Sequence, residues 1–388
     1  MGLASKMALA YAVNQGAQVA QQAMANKPSP YPQQQGYGAP PPQGQAAGYY
    51  QQGAPQQQQQ HHQAGYGAAV VGAAVGAGAS GYHPGYGAPP PQQAFGGAQH
   101  SGSPTTNPQL ILNVLKQGVQ DQNLHAFYPP GSLEQLAQRI AQTGALARIA
   151  SEWRLPNEVA FDLARLALFD VQLYIDDSGS MAFEENGSRI DDAKLVTSRV
   201  AQAASLFDTD GIQVFFMNSP TVGHGISNEG QAQSLLSGIT FSGLTPLGTS
   251  LENKILRPLV HAAQSGTLRK PVLVIAVTDG EPASENRYKI VDAIKNAKNA
   301  LGATRYGPDT LSIELAQVGN DQKAAAFLNE IDRHPDIGRF VDVTSNFETE
   351  SAQMQQTTGI ALVPDMWLVK LLMGGISSEY DSHDEVRH

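Results

Sequence analysis

Two stretches of this 388-residue chain place oxygen-bearing side chains at spacings that could hold a hard cation. The first reads Ile175-Asp176-Asp177-Ser178-Gly179-Ser180-Met181, an Asp-x-Ser-x-Ser pattern on Asp176, Ser178 and Ser180. The second reads Val277-Thr278-Asp279-Gly280-Glu281-Pro282 and follows an apolar run. Between them lies Ser242-Gly243-Leu244-Thr245-Pro246-Leu247-Gly248-Thr249, opening a helix with Thr245 at its mouth. Asp176, Ser178, Ser180, Thr245 and Asp279 offer carboxylate and hydroxyl oxygens only. Mg²⁺ takes about six such oxygens and keeps several waters. No His or Cys is in the set, which disfavours zinc. Mg²⁺ is therefore the expected ion, with Mn²⁺ or Ca²⁺ as alternatives.

These residues need strand and helix ends to bring them together. Phe169, Val171, Leu173 and Ile175 alternate as in a strand ending at Asp176. Gly211–Met217, Leu311–Val318 and Phe340–Val343 are further strand candidates, and Pro271–Thr278 reads as a strand buried on both faces. Helical patterns separate them at Ile190–Phe207, Gly248–Gln264, Glu285–Leu301, Asn320–Arg333 and Ser351–Thr357. Strands alternating with helices predict an α/β, doubly wound, mostly parallel sheet with helices on both faces. Ligands of such sheets bind at the carboxyl ends of the strands, where Asp176 and Asp279 fall.

The three motifs, in this order, resemble the von Willebrand factor A domain with its metal-ion-dependent adhesion site, over roughly residues 169–363. The resemblance implies that Ser178, Ser180 and Thr245 ligate the ion directly and that Asp176 and Asp279 act mainly through water. With a mostly neutral inner shell the ion stays electrophilic, and its open position favours an Asp or Glu of a protein partner. The implied role is a non-enzymatic scaffold or assembly factor. The helical stretch with Phe127-Tyr128-Pro129-Pro130-Gly131 and Trp153-Arg154-Leu155-Pro156 is similar to that of a set of fungal proteins with Gln/Gly/Pro/Tyr-rich N-terminal tails.

That helical stretch, residues 106–168, predicts a small bundle. Ile111 and Leu115 recur at helical spacing, Ser132 and Gln135 suggest a capping box, Gly144 ends a helix and Pro156 starts another. Residues 1–105 read as a disordered tail, with a short Ala/Gln helix near the start. No Asp, Glu, Lys or Arg occurs between Lys27 and Lys116, and Gly-Tyr-Gly-Ala-Pro-Pro-Pro-Gln occurs at Gly36–Gln43 and again at Gly85–Gln92. Too little apolar side chain is present there to offset the entropy of ordering. The tail is either a passive solvated segment or a means of weak self-association. Residues 364–388 are expected to be a C-terminal helix and an acidic tail.

Charge and composition narrow the classes. The formal charge is -10 and lies almost wholly on the C-terminal part, which argues against nucleic-acid binding and against anionic membrane surfaces. No transmembrane span or signal peptide is expected. The absence of cysteine points to the cytoplasm, with the nucleus as alternative.

Competing readings are weaker. A strand-end turn would use the same Asp, Ser and Gly types, but would not call for Thr245 and Asp279. Asp177, next to the motif, is expected to face solvent. Glu281 orients water or starts a helix. Asp208-Thr209-Asp210-Gly211 lacks the later acids of a calcium loop and reads as a turn. A Mg²⁺-dependent hydrolase of the haloacid dehalogenase type needs a second acid where Ser178 stands, and no phosphate loop occurs. A tail-driven assembly protein with a purely structural metal is the other alternative.

Overall fold

A computed structural model of the chain describes residues 6–13, 15 and 104–381, which belong to one compact unit. Most of the low-complexity tract, and the end of the acidic tail, lie outside the described residues. Among the described residues no helix is long and apolar enough to cross a membrane.

Six strands form one sheet: β1 Asp170–Ile175, β2 Ile212–Phe216, β3 Val222–Ile226, β4 Val272–Thr278, β5 Leu311–Gln317 and β6 Val341–Thr344. Their order is β3-β2-β1-β4-β5-β6. All neighbours are parallel except β2 and β3. This is the doubly wound order, with the antiparallel strand at one edge. After β1 the chain goes to β2 on one side, and after β3 it crosses to β4 on the other. The loops leaving β1 and β4 therefore diverge and open a crevice between them, where ligands of such sheets sit.

Alternation along the strands divides the core. Leu273, Ile275 and Val277 of β4 face one layer, and Val272, Val274 and Ala276 face the other; all are buried. The first layer is built by α6 Ser188–Phe207, α7 Glu229–Ser237 and α13 Pro364–Met373. The second is built by α8 Leu247–Leu251, α9 Arg257–Gln264, α10 Lys289–Gly302 and α11 Gln322–Asp332. A π turn over Glu252–Leu256 joins α8 to α9, so the single helix expected over Gly248–Gln264 is interrupted. Helix α12 Phe347–Thr358 follows β6.

The N-terminal helices α1 Pro108–Asp121, α2 Ser132–Thr143, α3 Ala145–Glu152 and α4 Asn157–Asp162 pack into the first layer. They share its core: Trp153 is 1% exposed, and its Nε1 donates to Gln202 Oε1 of α6 at 3.1 Å. Residues 6–13 are helical and also join this layer through Met7 and Ala10. Lys6 Nζ lies 2.7 Å from Asp162 and 2.6 Å from Glu379.

Three further local features differ from the sequence expectation. Strand β3 carries two glycines in Val-Gly-His-Gly-Ile and has too little apolar pattern to announce itself; pairing with β2 makes it a strand. No capping box forms at α2: Gly131 is the cap in the left-handed region, and Ser132 Oγ turns back to Pro129 O at 2.7 Å. Helix α10 starts at Lys289 rather than Glu285, because Glu285 is used elsewhere.

Candidate metal centre

The carboxyl ends of β1 and β4 are level. Ile175 pairs with Val277, and Asp176 N donates to Val277 O at 2.8 Å, extending the ladder by one step. Past that point both chains turn out of the sheet. Asp176 is 0% exposed, and its two carboxylate oxygens are separately held: Ser178 N donates to Oδ1 at 2.9 Å and Thr278 Oγ1 to Oδ2 at 2.8 Å. The turn this imposes starts α5, Gly179–Phe183, and presents Ser178 and Ser180 on one side. Their hydroxyls are 3.0 Å apart. Ser180 Oγ in turn donates to Asp279 Oδ1 at 3.0 Å. Four of the five sequence-derived residues therefore lie in one hydrogen-bonded string, Asp176–Ser178–Ser180–Asp279.

Thr245 arrives on the second loop. Gly179 N donates to Gly243 O at 3.1 Å, and Ser242 N to Asp177 O at 2.7 Å. These bonds stitch the 242–248 loop onto the β1 loop. Ala283 N donates to Thr245 O at 3.0 Å, which ties the same loop to the segment after β4. Thr245 is thus buried where the three loops meet, although none of the hydrogen bonds of the string passes through its side chain. Gly243 has φ +96 and its face abuts Asn218, so the turn needs a residue without Cβ. Gly248 permits α8 to touch α10, since a Cβ there would collide with the backbone nitrogen of Ile290. Glu285 caps this helix from outside, accepting from Gly248 N at 2.6 Å and Thr249 N at 2.9 Å.

Asp177 departs from expectation. Rather than facing solvent it is fully buried, accepting from Asn218 N at 2.7 Å, Asn218 Nδ2 at 3.2 Å and Ser219 N at 2.8 Å. The two amides after β2 would otherwise lack partners, and strand alternation no longer applies beyond Ile175. Asp177 is a loop clamp between β1 and β2. Glu281 pairs with Arg287 at 3.4 Å. Asp208 receives Lys270 at 2.7 Å and sits in a turn, not in a calcium loop.

One charged neighbour is absent from the sequence reading. Arg189, from the first turn of α6, is 4% exposed, and its Nη1 donates to Asp279 Oδ2 at 2.7 Å. Its Nε and Nη2 grip Glu185 Oε1 at 3.1 and 2.9 Å, and that oxygen also accepts from Asn320 N at 3.0 Å. Glu185 and Asn186 both have positive φ (48 and 57), an unfavourable conformation for non-glycine residues, and the Arg189 fork holds Glu185 there. The signal that could have found Arg189 is its place: a basic residue in the first turn of a helix, where acids are usual.

The electrostatics are those of a site short of positive charge. Burial, reinforced by the nearby Asp279 carboxylate, pushes the Asp176 carboxyl from its ordinary 3.8 up to about 6. Arg189 answers only Asp279 and Glu185. The oxygens of Asp176, Ser178, Ser180 and Asp279 together make a compact hard-donor set, and a divalent cation fits its chemistry. Among the described residues no cluster of three or more His, Cys, Asp or Glu forms a metal site, so any ion here depends on the hydroxyls.

No family model and no curated protein matches this chain. Among solved structures, the manganese-loaded TRAP protein of Plasmodium vivax matches with 18% identity over 51% of this chain and 75% of that chain, at a TM-score of 0.30. The fold is defined here by the strand order and the helical layers.

Proposed function

We propose that this chain is a metal-dependent protein-interaction module, in which one divalent cation, Mg²⁺ by choice of donors, bridges the β1–β4 crevice to an Asp or Glu of a partner. The observation that carries it is the string Asp176–Ser178–Ser180–Asp279 at the topological switch point, with the Thr245 loop stitched beside it. Ser178, Ser180 and Thr245 would supply neutral oxygens, while Asp176 and Asp279 orient them and balance the charge. A bound ion then keeps its electrophilicity and prefers an outside carboxylate. Without the ion, the carboxylates of this rim repel such a group; with it, the sign of the site reverses.

The same residues argue for binding rather than turnover. A hydrolase of the haloacid dehalogenase type would place an acid two residues after Asp176 to protonate the leaving group, and Ser178 cannot do so at neutral pH. The reading resembles the adhesion site of von Willebrand factor A domains, carried residue by residue on the three loops. The decisive experiment is calorimetric titration of Mg²⁺ and Mn²⁺ into the full chain and the Asp176→Ala variant, followed by affinity purification of partners in Mg²⁺ and in EDTA. Saturable binding by the wild type that the variant loses, with partners released by EDTA, is the expected result. Partners retained equally in EDTA, or equal ion binding by both chains, would overturn it.

A further inference from the structure

We infer that the partner segment read by this site carries a single carboxylate flanked by bulky apolar side chains, and that Phe183 and Leu244 are the residues that select it. The inference rests on the metal-bridging reading above and adds the chemistry on either side of the carboxylate. Large apolar side chains in the described residues are mostly buried, and of those that are not, Phe183 and Leu244 are the two most exposed, at 85% and 56%. Both belong to the loops that carry the candidate ligands. Phe183 ends the short helix that begins at Gly179, and its ring covers that glycine: a Cβ there would lie 3.7 Å from the ring edge and 3.6 Å from Gly243 O. Leu244 directly precedes Thr245, with its carbonyl fixed by Asn218 Nδ2 at 2.9 Å. The two apolar groups thus stand on the two segments that the Gly179–Gly243 bond joins.

Exposure of single apolar residues is ordinary. Two of them on the rim of one crevice, on separate loops hydrogen-bonded to each other, make a surface that gains by being covered. Charge sets what can cover it. Glu184 is exposed beside Phe183, Glu281 on the β4 loop shares its charge with Arg287, and the chain carries a net -10. A run of acids would meet these groups before it met the cation. A lone Asp or Glu between apolar neighbours meets the cation with its carboxylate and Phe183 and Leu244 with its flanks.

The test uses three synthetic peptide pools with a fixed central Glu, flanked by Leu/Phe, by Gly/Ser, or by Asp/Glu. Their binding to the full chain is read by fluorescence polarisation in Mg²⁺ and in EDTA. The apolar-flanked pool should bind at least about tenfold tighter than the Gly/Ser pool, a difference that burial of part of one large side chain supplies. The acid-flanked pool should bind weakest. A Phe183→Ser, Leu244→Ser double variant should lose the preference while its Mg²⁺ affinity by calorimetry stays within about twofold, since neither side chain offers the ion an oxygen. Both side chains are exposed, and an unchanged melting temperature of the variant verifies its fold. Equal binding of the three pools in Mg²⁺, or preference for the acid-flanked pool, overturns the inference and leaves the metal reading standing, whereas no binding of any pool to the Mg²⁺-loaded chain overturns both. Apolar-flanked binding that persists undiminished in EDTA overturns the metal reading itself.

Discussion

Replacing Asp176 by Asn should stabilise the metal-free protein at neutral pH and make it blind to Mg²⁺. Asp176 is wholly buried, and burial together with Asp279 raises its carboxyl from 3.8 to about 6. A carboxyl raised on folding contributes stability that is fully present below its unfolded value and is lost as pH rises through the folded one. The interval between 3.8 and about 6 corresponds to about 3 kcal/mol lost by about pH 7. The Asp176→Asn side chain carries no charge and escapes that loss. It keeps one acceptor for Ser178 N or Thr278 Oγ1 and gives up the other, at about 1 kcal/mol. The net gain is about 2 kcal/mol, or about 3–4 °C in melting temperature for a domain of this size.

The assay is thermal unfolding of both proteins in EDTA at about pH 7.5 and about pH 5, then with Mg²⁺. The advantage of the variant should fall below about 1 kcal/mol at the lower pH, where the wild-type carboxyl is largely protonated. An ion at a hundredfold its dissociation constant stabilises the protein that binds it by about 2.7 kcal/mol. Mg²⁺ should therefore raise the wild type and leave the Asp176→Asn variant nearly unmoved, reversing their order. A variant less stable than wild type in EDTA at neutral pH would mean that the two hydrogen bonds outweigh the charge. An equal rise of both proteins in Mg²⁺ would remove Asp176 from the cation site.

Other perturbations probe the surrounding charges. Arg189→Met strips Asp279 of its 2.7 Å partner and should destabilise the EDTA-treated protein by about 3–5 kcal/mol, with a larger Mg²⁺-induced rise in melting temperature than the wild type shows. Asp177→Ala leaves the amides of Asn218 and Ser219 without their acceptor and should lower the urea midpoint by an amount equivalent to about 3 kcal/mol, with the slope unchanged. Glu314 of β5 is fully buried in register with Asp342 of β6, and burial followed by that carboxylate holds its carboxyl well above the usual range. Its contribution is present below about 4.5 and lost as pH rises, so the melting-temperature gain of Glu314→Gln over wild type should grow between about pH 5 and pH 8. A gain that shrinks over that interval would refute the assignment.

The strands at the centre of the sheet are legible because their burial is written into composition. Val272–Thr278 is apolar at nearly every position, and both of its faces are covered. Strand β3 is not legible, since Val-Gly-His-Gly-Ile owes its conformation to the β2 edge and not to its own pattern. The start of helix α10 is misread for a similar reason. Glu285 has the composition of a helix opening, but it caps α8 instead. In each case the missing information is a partner distant in sequence.

The same division runs through the candidate site. Asp176, Ser178, Ser180 and Asp279 can be found because hard-donor chemistry confines the residue types and the sheet confines where they emerge. Asp177 and Arg189 escape because their roles depend on which side chain the fold brings opposite them. An Asp next to a strand end reads equally well as solvated or as a clamp until Asn218 and Ser219 arrive with two amides in need of an acceptor. An Arg on the first turn of a helix reads as surface charge until Asp279 lies 2.7 Å away. These two residues are also what make the donor set workable. The Asp177 carboxylate is turned onto the amides after β2 rather than toward the other oxygens, and Arg189 neutralises half of the Asp176–Asp279 pair. The cation that fits must therefore complete a charge balance already begun by the protein, which is why removing the charge of Asp176 and removing that of Arg189 should move metal-free stability in opposite directions.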